Sequence, residues 1–100
     1  MREDRQRLDK WLWFARFAKT RTLAAKLVTS GFVRVNGQRT ENAAKAVAVG
    51  DVVTIALSRT TLVVRVQDLG DRRGPAPEAR QLYVDLNESA GTLVSDGDKS

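Results

Sequence analysis

The sequence predicts an α+β fold: an αα-hairpin packed on a small antiparallel sheet. Three observations predict it. Two short segments near the start carry apolar residues at helical spacing, Asn36-Gly37 divides two alternating runs, and Val-rich runs at 52–57 and 61–67 are separated by turn residues.

From Leu8 the residues Leu8, Trp11, Leu12, Ala15 and Ala18 recur at i, i+3, i+4, i+7 and i+10, which marks the buried stripe of a first helix. Trp13 and Phe17, four residues apart, are expected on the opposite side as a second aromatic patch, packed against the C-terminal half or stacked on bases. Thr20 is placed to cap a second helix, with Leu23, Ala24, Leu27 and Val28 inward and Thr22, Ala25, Lys26 and Thr29 outward. Gly31 ends it, because the residue just past a helix often takes a left-handed conformation that glycine adopts without steric cost.

Residues 32–35 alternate, with Val33 and Val35 on one face and Phe32 and Arg34 on the other. Asn36-Gly37 then turns the chain into a return strand near Gln38-Arg39. A polar, Ala-rich loop leads to the Gly50-Asp51 turn and a strand at 52–57. Ser58-Arg59-Thr60 connects this to a strand at 61–67, in which Leu62, Val64 and Val66 share a face. Residues 69–77 hold Gly70, Gly74, Pro75 and Pro77 and read as a loop, 78–81 as one helical turn and 82–86 as a last strand. The expected organisation is one domain over residues 7–86, with a flexible tail at 87–100 whose last twelve residues show no periodicity.

A chain of 100 residues with 42% hydrophobic and 29% charged residues has the composition of one folded globular module, neither disordered nor membrane-embedded. Arg16 and Asp51 interrupt the two most apolar stretches, so no run approaches the about 18 residues that cross a bilayer. Acidic Glu3, Asp4 and Asp9 do not suit a secretory leader, and a cytoplasmic location is expected. Cysteine and histidine are absent, which removes disulfides, thiolate nucleophiles, Cys/His metal sites and the usual proton shuttle at neutral pH. No Gly-rich phosphate loop, paired-Asp motif or Ser-x-x-Lys replaces them, so neither an enzyme nor a cofactor is expected.

The net charge of +5 conceals a segregation. Residues 1–45 hold eleven Lys/Arg against four Asp/Glu, net +7, whereas residues 46–100 hold six against eight, net −2. The helical half is therefore the basic half, as expected of a chain that binds a polyanion, RNA first and DNA second.

The order of motifs is specific. Arg7-Leu8-Asp9-Lys10, Lys19-Thr20-Arg21, an Ala-rich helix, Gly31, Val33-Arg34-Val35-Asn36-Gly37 and Val49-Gly50-Asp51-Val52 together resemble the RNA-binding domain named after small-subunit ribosomal protein four, with the core motif at 7–57. Ala15-Arg16-Phe17 and the later run from Asp71-Arg72-Arg73-Gly74-Pro75 to Leu82-Tyr83 extend the resemblance to the small ribosome-associated heat-shock protein family of the fifteen-kilodalton class. That resemblance implies a bacterial RNA-binding protein of the stress response, and a monomer is expected. Its partners would be ribosomal RNA and the large ribosomal subunit, above all subunits carrying a stalled nascent chain on tRNA, and it would aid their rescue. Better-known members carry a long basic C-terminal extension, whereas residues 89–100 lean acidic.

The residues point to the same site. Lys19 and Arg21 flank the start of the second helix, where free N–H groups and the positive dipole end attract phosphate. Thr20 lies between them, Lys26 faces outward on the same helix, Arg7 and Lys10 come from the first helix, Arg34 and Arg39 from the two hairpin arms, and Lys45 from the loop beyond. Asp9 is expected to be structural, accepting N–H groups or pairing with a neighbouring arginine. Arg72 and Arg73 either extend the basic surface or pair with Asp71 and Glu78. Two rivals use the same residues differently: a generic binder of structured RNA such as tRNA or mRNA, or a protein- or membrane-surface module working through the aromatic first helix.

Overall fold

The computed structural model describes residues 5–71 and 73–86, so the tail expectation and Arg72 lie outside the described residues. Strand β1 (Gln6–Arg7) runs into helix α1 (Leu8–Phe14). Helix α2 (Arg21–Thr29) follows, then strands β2 (Val33–Val35), β3 (Gln38–Thr40), β4 (Ala46–Val47), β5 (Val52–Ala56) and β6 (Thr61–Val66). A short helix α3 (Ala76–Ala79) and a 3-10 turn (Arg80–Leu82) lead into β7 (Tyr83–Asp85). The sheet has the order β3-β2-β5-β6-β7 with every neighbour antiparallel. A separate ladder pairs β1 with β4, an element hidden inside what reads as a loop.

The predicted α+β architecture holds. Leu8, Trp11 and Leu12 from α1, Val28 from α2, and Val33, Val47, Val53, Ile55, Val64 and Val66 from the strands are fully buried together. Each such aliphatic side chain stabilises the fold by about 1.5–3 kcal/mol relative to exposure. The Trp11 indole N–H donates to the Asp68 carbonyl at 3.0 Å, and Gln6 exchanges two hydrogen bonds with the Gly70 backbone. The loop after β6 is thus stitched to the start of the chain.

Three side-chain expectations change. Helix α1 stops at Phe14, a turn before Ala18, because Arg16 takes φ 67°. The Arg16 N–H then bonds Trp13 O and the Phe17 N–H bonds Leu12 O, both at 3.0 Å, the pairing of a Schellman end. Trp13 and Phe17 therefore do not form one patch. Phe17 packs against Trp11 and Tyr83 with centroids at 6.0 and 4.7 Å, while Trp13 stacks on Phe14 at 5.4 Å with the Arg73 guanidinium 6.0 Å from its ring. Trp11 and Phe14 are buried, whereas Trp13 is partly exposed. On α2 only Ala24 and Val28 are buried; Leu23, expected inward, is 46% exposed.

Candidate nucleic-acid interface

Where α1 begins, the Leu8 N–H donates to Lys45 O at 2.8 Å and the Asp9 N–H to Ala43 O at 3.1 Å. These bonds lay the 43–45 backbone across the helix start, and the β1–β4 ladder sets Arg7 opposite Ala46. Asp9, in the first turn, is buried. Its carboxylate accepts Arg7 Nε at 3.1 Å and Arg7 Nη2 at 3.0 Å, and Arg21 Nε stands 3.8 Å from the same Oδ2. The carboxylate lies inside while the two arginine side chains remain 50% and 44% exposed.

One buried anion thereby fixes two surface cations, Arg7 at the N-cap of α1 and Arg21 at the start of α2. Hydrogen bonding and charge from Asp9 hold the Arg7 guanidinium above its ordinary value. The sign is that of a raised cation: its contribution is complete at neutral pH and is lost as strong alkali removes the proton.

Helix α2 opens beside this cluster. Thr20 is extended, and its Oγ1 accepts the Leu23 N–H at 3.0 Å, which satisfies one donor of the first turn. Lys19, Arg21 and Lys26 are exposed, so cations flank the positive end of the helix dipole and continue one turn along it. Lys10 is half-buried, with its ammonium 5.9 Å from the Phe14 ring one turn later.

The hairpin supplies the remaining cations. Asn36 and Gly37 take φ 52° and 84°, the paired left-handed conformations of a two-residue hairpin turn. That turn sets Arg34 directly opposite Arg39. Like charges placed across a ladder destabilise it, so the folding of the hairpin does not account for the pair. Arg39 is held by Glu41 at 2.9 Å and lies across Gly31. A side chain at position 31 would occupy the space of the guanidinium, and its φ of 85° favours glycine as well.

The structure therefore gathers Arg7 and Arg21 around Asp9 with the 43–45 backbone across the start of α1, while Lys19 precedes α2, Thr20 caps it and Lys26 lies on it. Arg34 and Arg39 sit on the outer face of the hairpin that follows it. Sequence reading missed two features: the reach of Asp9 across both helices, and an apolar groove lined by Leu23, Phe32 and Leu57. Alternation had placed Phe32 outward with Arg34, which was the available signal for the second. Among the described residues no group of three or more His, Cys, Asp or Glu side chains could hold a metal ion, and no helix is long and apolar enough to cross a membrane.

Comparison with known proteins adds an independent line. Residues 6–53 match the S4 domain. The chain is 40% identical over 89 residues to the heat shock protein 15 homolog of Haemophilus influenzae, covering 89% of this chain and 67% of that protein. It is 34% identical over 82 residues to the RQC P-site tRNA stabilizing factor of Bacillus subtilis, covering 82% of this chain and 93% of the relative. The trimeric structure of Vibrio cholerae heat shock protein 15 superposes with a TM-score of 0.80 at 41% identity, covering 88% of each chain. The chain spans between 62% and 67% of the length of the curated heat shock protein 15 relatives it matches.

Proposed function

The chain belongs to the heat shock protein 15 family of S4-domain RNA-binding proteins, and on that premise we propose that it recognises ribosomal RNA on the large ribosomal subunit. Subunits that carry a stalled nascent chain on tRNA are its preferred target, and binding aids their rescue or recycling. The observation that carries the reading is the clasp of Arg7 and Arg21 on buried Asp9 beside the N-terminus of α2, with Lys19 just before that helix and Lys26 on it. Fixed cations at a helix start suit phosphate oxygens. An A-form helix hides its major-groove edges from side chains, so this face reads backbone shape. The name of the B. subtilis relative, a factor that stabilises P-site tRNA, supports the nascent-chain part of the proposal.

Competition sedimentation at fixed physiological salt tests it, using purified empty large subunits and large subunits bearing peptidyl-tRNA. Both particles present nearly the same phosphate field, so charge alone predicts equal partitioning. Preferential travel with the tRNA-bearing particle is expected; equal partitioning would leave a generic structured-RNA binder.

A further inference from the structure

We propose that the apolar groove formed by α2 with Phe32 and Leu57, which adjoin the ends of β2 and β5, receives one unpaired nucleobase of the bound RNA, stacked on Phe32. This rests on the RNA-binding reading and adds to it a site for a base, where the cations alone read backbone. Four large apolar side chains are exposed among the described residues, and three of them, Leu23 at 46%, Phe32 at 50% and Leu57 at 38%, meet here. With half-buried Phe17 and Leu27 they line a groove of about 420 Å³.

The position of Phe32 is fixed by how α2 ends. The Gly31 N–H bonds Val28 O at 2.9 Å and the Phe32 N–H bonds Leu27 O at 3.1 Å, a Schellman end whose usual apolar contact joins these last two residues. Backbone geometry thus holds the ring half out of the core. Burial does not explain that exposure, and a ligand does.

Charge identifies the occupant. Lys26 lines the groove, Arg34 shares the Phe32 face of the hairpin two residues on, and Arg39 lies across Gly31, the residue before Phe32. An apolar slot with Lys26 in its lining and further cations on the adjoining hairpin matches a nucleotide, which joins a flat π face to a phosphate. A second copy docked through the same groove about a two-fold axis would set the same cations against one another.

The test uses the full chain and two RNA hairpins that differ only by a single bulged adenosine, titrated at one salt concentration. Stacking of one base on an aromatic ring corresponds to about five- to 150-fold in affinity, so the bulged RNA is expected to bind about tenfold more tightly. Phe32→Ala removes that preference and leaves affinity for the paired hairpin and its salt slope unchanged. Phe32→Tyr keeps the preference, and Phe32→Leu, which retains apolar bulk without a π face, loses most of it. Equal binding of the two RNAs by the native chain overturns the proposal, as does a preference that survives Phe32→Ala. If neither RNA binds, the RNA-binding reading falls and the base site with it. If sedimentation velocity shows that Phe32→Ala dissociates an assembly while leaving RNA preference intact, the groove belongs to a second copy.

Discussion

The helix-start cluster and the hairpin cluster present the same cations by different means. At the helix start, Arg7 and Arg21 are tied to a carboxylate inside the fold, so their positions are set when α1 and α2 pack. On the hairpin, Arg34 and Arg39 face each other across a ladder, and Arg39 leans on a Glu41 that is itself 61% exposed. An exposed pair of that kind contributes about 0–1 kcal/mol and is screened by salt. The first cluster is therefore coupled to folding, and the second is coupled only to strand register.

Breaking the first should show in stability. Asp9→Ala removes a buried acceptor from charged donors, an exchange that costs about 1.5–3 kcal/mol. In a domain of this size that lowers Tm by roughly 4–8 °C per kcal/mol. Differential scanning calorimetry checks it, and a melt unchanged within error would show that the clasp is not coupled to folding.

A smaller loss is expected from Gly31→Ala. A non-glycine residue in the left-handed region costs about 1–2 kcal/mol. The new methyl group also displaces the Arg39 guanidinium, the far end of a flexible side chain, which moves at little further cost. Stability should fall by about that amount, and RNA affinity should fall with it because Arg39 leaves its place. Chemical denaturation and a binding titration on the same preparation separate the two effects.

Glu41→Gln should change least. The pair it removes is exposed on both sides, so stability moves by less than about 0.5 kcal/mol. Affinity for RNA is expected to rise slightly, since a negative charge beside Arg39 is gone. A large loss of stability in urea titrations would place Glu41 in the fold's framework and erase the contrast between the clusters.

These contrasts also show what a sequence can disclose. The hairpin was legible because Asn36-Gly37 suits two successive left-handed residues, and the start and end of α2 were legible in Thr20 and Gly31. The end of α1 was not. It makes the same Schellman pairing as α2 but places Arg16 in the left-handed position, and the Arg16 Nε–H···O=C bond to Gly74 at 3.0 Å spans 58 residues. A tie that long leaves no local signature. Two-residue strands β1 and β4 are likewise too short for any periodicity. For the interface, the cations could be chosen by residue type and helix position, but the convergence of Arg7 and Arg21 on Asp9 depends on how two helices pack. The outward Leu23 fits a helical stripe as well as any core leucine, so only packing could reveal the groove.

The central claim is that the cations around the start of α2 contact phosphate, and salt dependence tests it most directly. Binding of the intact chain to purified large-subunit RNA should be measured over about 50–200 mM salt beside the Lys19→Ala/Arg21→Ala double variant, with thermal melts confirming that both are folded. Each lost phosphate contact lowers the slope of log affinity against log salt by about 0.7–0.9. The account predicts a slope shallower by about 1.4–1.8 and weaker binding at every salt concentration. A folded double variant with unchanged slope and affinity would contradict it and place the RNA on another face of the molecule.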